Sequence, residues 1–139
     1  MELFVERDVR ASAERVWAVL ADPESWPRWT ESMREVRLLD GDLGLGSRVR
    51  IVQPKLLPME WTVTEVVPGA VLTWIAAGPG LRTTGTHSVR SRPDGTARLR
   101  LGLTHRGLLA PVVAGLYGRR SRRYVELEAD GLRAAAEAA

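Results

Sequence analysis

Between Arg34 and Arg106 the chain is a run of short segments of alternating polarity, each closed by a turn signal. From Gly107 onward the apolar period becomes helical and stays so to the C-terminus. Few folds accept that order. The alternating segments are Arg34–Asp40, Ser47–Gln53, Met59–Val67, Val71–Ala77, Thr83–Ser91 and Ala97–Arg106, with turns at Asp40-Gly41-Asp42, Pro68-Gly69, Gly78-Pro79-Gly80 and Pro93-Asp94-Gly95. Strands in unbroken succession with short turns predict an antiparallel meander.

Alternation in the last two segments sets their pairing. Leu99, Leu101, Leu103 and His105 share one face of the final strand, and His87 and Val89 share one face of the strand before it. A three-residue turn at Pro93–Gly95 pairs Ser91 with Ala97, Val89 with Leu99, His87 with Leu101 and Thr83 with His105. Both apolar sets then lie on the same face, which a one-residue slip would prevent. Arg48 and Arg50 against Val49 and Ile51 repeat the pattern. One face is expected to be solvated and the other covered by the C-terminal helix, about 40 Å long at 1.5 Å per residue. Leu109, Val113, Leu116, Tyr117, Tyr124 and Leu127 mark the stripe expected to face the sheet.

Upstream, Glu2 to Val9 reads as a first strand. Ser12 is placed to cap a helix in which Val16, Trp17 and Leu20 recur at helical spacing. Asp22-Pro23 repeats the signal for a second short helix through Trp29. The order strand, two short helices, six strands and long helix resembles the helix-grip fold of the START and polyketide cyclase-like (SRPBCC) superfamily. The segment Ala11 to Pro23, the Trp26-Pro27-Arg28-Trp29 pattern, and Glu65-Val66-Val67-Pro68-Gly69 with Leu72 and Trp74 carry the likeness. It implies an α+β fold over residues 1–139 as one domain: a seven-stranded curved antiparallel sheet with the long helix across its concave face. It also implies an elongated pocket between the two. Members include lipid and sterol carriers, hormone and alkaloid binders, and polyketide aromatases and cyclases, so the fold alone does not select a function.

Composition narrows the chemistry. With no cysteine, thiolate catalysis and cysteine-ligated metal sites are excluded. The longest uncharged run, Val66 to Leu81, is shorter than the roughly 20 residues of a spanning helix and is broken by Pro68-Gly69 and Gly78-Pro79. No integral membrane segment is expected, and a cytoplasmic location is the default. The net charge of +3 rests almost wholly on arginine. No aromatic ladder accompanies it, so no nucleic-acid partner is expected. No glycine-rich phosphate loop, nucleophile elbow or metal-spaced cluster occurs, and neither metal nor cofactor is expected.

Candidate site residues lie on the inner face. His87 and His105 are about 13 Å apart in the register above, too far for one metal. Each can instead orient a ligand or move a proton, or can be satisfied by a backbone carbonyl or a threonine. Trp61 and Trp74 can wall a cavity, but the face they take is open, because Glu65 falls in phase with Trp61. Leu101, Leu103, Leu116, Tyr117 and Arg120 complete the expected lining, with Arg120 the one arginine of Arg119–Arg123 able to reach a ligand carboxylate. Gly115 and Gly118 around Tyr117 either loosen the helix or mark close packing. Leu56, Leu57 and Leu81 sit on unusually apolar loops and suggest a lid at the cavity mouth, a docking patch or a membrane touch-point.

Three functions fit. The first is binding of a small hydrophobic or aromatic ligand in the internal cavity. The second is a metal-free polyketide cyclase or aromatase activity, with His87 or Tyr117 transferring protons. The third is a protein-interaction module. The partner expected is the small ligand, with a homodimer also allowed.

Overall fold

The computed structural model describes residues 2–138. Seven strands form one open, curved antiparallel sheet in the order β1-β7-β6-β5-β4-β3-β2. They are β1 Glu2–Val9, β2 Glu35–Leu38, β3 Arg48–Val52, β4 Met59–Val67, β5 Val71–Gly78, β6 Leu81–Ser91 and β7 Ala97–Arg106. The six later strands are a simple meander, and β1 closes the series by pairing with β7. Helix α1 spans Ala13–Leu20 and the long α2 spans Ala110–Glu137. This is the helix-grip architecture.

Local signals act as expected at α1, where the Ser12 hydroxyl accepts the Arg15 N–H at 3.2 Å. At the next element they act differently. Pro23–Arg28 is a 3₁₀ helix, and the Asp22 side chain makes no capping bond. Instead the Asp22 carbonyl accepts from both the backbone N–H and the hydroxyl of Ser25. Pro27 within the segment cannot donate, which favours a short, tight turn over a regular α-helix.

The β6–β7 register is Ser91 opposite Ala97, Val89 opposite Leu99, His87 opposite Leu101 and Thr83 opposite His105. This is the pairing that the alternation requires. The face of the two central tryptophans is set by an irregularity between Val63 and Glu65. Val63 pairs with Trp74, but the next pair is Glu65 with Thr73, so Thr64 is an extra residue. The bulge reverses the phase of β4. Trp61 and Val63 point inward before it, and Glu65 points to solvent after it. That removes the conflict that the sequence left open.

The core is the concave face with α1 and α2 laid over it. Leu72, Leu99, Leu101 and Leu132 are almost completely enclosed, each contributing about 2 kcal/mol by burial. Helix α2 packs mainly on β1, β7 and α1. Its buried positions are Ala110, Val125, Glu128, Ala129, Leu132 and Ala136. The stripe expected from apolar spacing is therefore rotated. Leu109, Leu116 and Tyr117 are exposed, and the inward positions of the first turns are the small residues Ala110, Ala114, Gly118 and Ser121.

Candidate functional site

His87 stands near the middle of β6 with its ring between two indoles, 5.3 Å from Trp26 and 5.0 Å from Trp74 between centroids. Its Nδ1 lies 2.9 Å from the carbonyl oxygen of Leu72 on the neighbouring strand. A carbonyl only accepts, so Nδ1 carries a proton. The other nitrogen, Nε2, lies 3.3 Å from Oε1 of Glu128 on α2. His87 is 5% exposed and Glu128 9%. Nε2 is thus the ring nitrogen turned toward the carboxylate. The contact is not an aligned hydrogen bond, and Glu128 Oε1 keeps unused acceptor capacity in a buried setting.

Glu128 reaches this position because α2 lies unusually close to the Trp26–Trp29 segment. A Cβ on Gly131, one turn beyond Glu128, would stand 2.2 Å from the Trp29 carbonyl oxygen. Only glycine permits that approach. Gly85 plays the same part on the sheet, since its missing Cβ leaves room for the Trp74 indole, whose Nε1 would lie 2.9 Å away.

Beside the pair is a cavity of about 80 Å³. One water needs roughly 10–15 Å³ by this measure, so the space holds several. Its walls are mainly apolar: Met33, Ile51, Leu56, Trp61, Trp74, Leu101, Leu103 and Val125, with Gly85 and Gly102 in the floor. The polar groups are Gln53, Thr86, His87, Ser121, Tyr124 and Glu128. Trp61 Nε1 is buried and has no hydrogen-bond acceptor. At the rim, the Tyr124 hydroxyl donates to the Pro54 carbonyl and ties α2 to the β3–β4 loop. That loop turns through Gln53–Leu56, with Leu56 N–H donating to Gln53 O at 3.2 Å. Lys55 takes φ 62° there, a conformation that costs a non-glycine residue about 1 kcal/mol.

Of the residues singled out in the sequence, Trp61, Trp74, His87, Leu101, Leu103 and Leu56 are brought together around this cavity. The others fall outside its lining. His105 is buried four residues along from the level of His87, with Nδ1 2.8 Å from the Thr83 hydroxyl. Burial pushes its imidazole pKa below the ordinary value. Leu116 faces solvent, Arg120 is half-buried beyond the lining, and Tyr117 is exposed one turn above Ser121. Leu57 is exposed next to Leu56, and Leu81 lies at the β5–β6 turn. Neither Gly115 nor Gly118 serves close packing, because a Cβ at either would meet nothing within 4 Å.

Sequence reasoning put Tyr124 on the sheet-facing stripe but not at the site, and it missed the parts of Glu128 and Trp26. The acidic residue of the inner face comes from the helix, whereas Glu65 is solvent-exposed. The available signal was spacing: Ser121, Tyr124 and Glu128 recur at three and four residues, in line with the buried Val125 and Leu132.

A family model described as polyketide cyclase/dehydrase and lipid transport matches residues 2–137. The chain belongs to this family. Solved structures with the same fold include an aromatase/cyclase, Zhui, from Streptomyces sp. R1128, at 18% identity and TM-score 0.78, covering 99% of this chain and 93% of that one. A hypothetical protein from Helicobacter pylori aligns at 18% identity and TM-score 0.82, covering 96% of this chain and 86% of that one. A truncated norcoclaurine synthase from Thalictrum flavum aligns at 13% identity and TM-score 0.74, covering 96% and 91%. At such identities the likeness shows the fold. No curated protein matches the sequence. No helix among the described residues is long and apolar enough to cross a membrane.

Proposed function

We propose that the protein binds a small hydrophobic or aromatic molecule in the cavity between the sheet and α2, with the ligand's polar group against His87 and Glu128. The observation that carries this is a buried His–Glu pair, 3.3 Å apart and facing apolar space. Placing a histidine and a carboxylate together away from water is costly unless something uses them. Apolar contact with Trp61, Trp74, Leu101 and Leu103 would supply affinity at about 25 cal/mol per Å² removed from water. The pair and the Trp61 N–H would fix orientation. The cavity suits one ring; a longer ligand requires the β3–β4 loop or the first turns of α2 to move. Displacement of a lipophilic fluorescent probe tests the reading. Binding should weaken in Leu101→Trp, which fills the cavity, and no uptake across varied lipids and aromatics would refute it.

The same pair favours a second reading, a metal-free cyclase or dehydratase activity on a ketone-bearing substrate. In a dehydration, one member takes the proton from the carbon next to a carbonyl. The other gives its proton to the departing hydroxyl, so a C–H and a C–O bond break, a C=C bond forms and water leaves. A positioned acid–base group of this kind contributes about 10²–10⁴-fold. His87→Gln and Glu128→Gln should then abolish turnover while probe affinity changes little. Unchanged product formation in both variants would leave binding as the function.

A further inference from the structure

The outward side of α2 is apolar although, apart from Leu109 resting partly over Gly80, its apolar side chains stand in solvent. Leu109, Val112 and Leu116 recur at three and four residues and are all exposed. They lie about half a turn round the helix from the buried Ala110, Val125, Glu128 and Leu132. Leu108, in the preceding turn, is 91% exposed and Leu116 is 73% exposed. The same side continues into Arg119, Arg120 and Arg123, with Arg122 beside them. None of these four arginines forms an ion pair among the described residues. The β3–β4 loop repeats the pairing of basic and apolar groups in Lys55 and Leu57, the latter 84% exposed, and Tyr124 ties that loop to α2.

We propose that this end of the molecule docks on an anionic lipid surface, with Leu108–Leu116 entering the acyl boundary and Arg119–Arg123 at headgroup level. The segment is amphipathic along its length. About two turns of aliphatic side chains precede about one and a half turns of arginine, about 22 Å in all, so the helix tilts with its N-terminal end deeper. Charge selects the occupant. Four unpaired arginines call for an anionic surface. A second copy would present the same apolar row and the same four arginines, which supply no complementary charge to one another. An acidic protein partner would complement the charge. The apolar contacts, however, are aliphatic tips on a convex helix without the buried aromatic anchors and pockets that hold protein partners. Insertion into fluid chains requires no such pocket. The cavity rim at Leu56 and Tyr124 lies in the same loop-and-helix region, but the docking surface stands whether or not the cavity holds a ligand.

Cosedimentation of the whole chain with vesicles tests this. Vesicles of equal phosphatidylcholine and phosphatidylglycerol should retain the protein, phosphatidylcholine alone should not, and retention should fall with added salt. Arg122→Ala and Arg123→Ala should each weaken binding about fivefold. The pair Leu108→Asp with Leu116→Asp should abolish binding, with circular dichroism and thermal unfolding unchanged, because both side chains stand in solvent. No retention on the mixed vesicles at low salt would overturn the proposal, as would binding indifferent to the leucine changes. A concentration-dependent dimer broken by the same leucine changes would reassign the face to self-association.

Discussion

Two glycine-to-alanine changes in one helix should have opposite signs. In an exposed helix interior, Gly→Ala stabilises by about 1 kcal/mol, because glycine loses more backbone freedom on folding. Gly115 of α2 meets this condition, since a Cβ there touches nothing within 4 Å; Gly115→Ala should raise stability by about 1 kcal/mol. Gly131 does not. Its Cβ would lie 2.2 Å from the Trp29 carbonyl oxygen and 2.7 Å from a carbon of the Trp29 ring. The nearer atom is backbone and cannot swing aside, so α2 must back off by roughly 1 Å. Overpacking of this kind costs about 1–3 kcal/mol, and a backbone collision belongs at the upper end. After the propensity gain, Gly131→Ala should lose about 2 kcal/mol, leaving the two variants about 3 kcal/mol apart. Urea unfolding followed by tryptophan fluorescence measures both, with unchanged m-values showing that the native state alone is affected. The displacement also draws Val125 and Glu128 back from the cavity they line, which loosens its apolar wall, so probe binding should weaken in Gly131→Ala and not in Gly115→Ala. A Gly131→Ala variant as stable as the parent would refute the close approach and the seating of Glu128 that depends on it.

Burial lowers the His105 pKa in the folded state below its ordinary 6.5. The unfolded chain therefore takes up the proton first on acidification. Stability should be full above about pH 6.5 and fall as the pH drops below it, a slope that His105→Gln should remove in urea midpoints measured from about pH 8 to 5. Gly85→Ala would press on Trp74, with Cβ 2.9 Å from its Nε1. The indole lines the cavity and yields toward that open space, so probe affinity should drop severalfold for a stability loss of about 1 kcal/mol, read by titration and unfolding. Ser12→Ala removes the oxygen that caps α1 and should cost about 1 kcal/mol in thermal or urea unfolding, with probe affinity unchanged.

Pairing was legible from the residues alone because both determinants are local. Side chains alternate with a strict period of two, and the Pro93–Gly95 turn has a length that permits one register with both apolar sets inward. The cap at Ser12 and the switch to a helical period after Gly107 are local as well. The rotation of α2 was not legible. Apolar residues lie on both of its sides, Leu109, Val112 and Leu116 outward and Val125, Leu132 and Ala136 inward. The assumption that the apolar side is the buried side therefore has no unique solution.

Only the tertiary structure decided the site. The Thr64 bulge turned Trp61 and Trp74 to the same wall, and a bulge depends on how β4 and β5 twist together, which neither strand encodes separately. Glu128 became a buried partner of His87 because two glycine-enabled close approaches bring α2 and Trp74 within reach of one point on the sheet. The spacing of an acidic residue on a long helix can mark the side it lies on, but which side is buried is set by what the distant strand places opposite it.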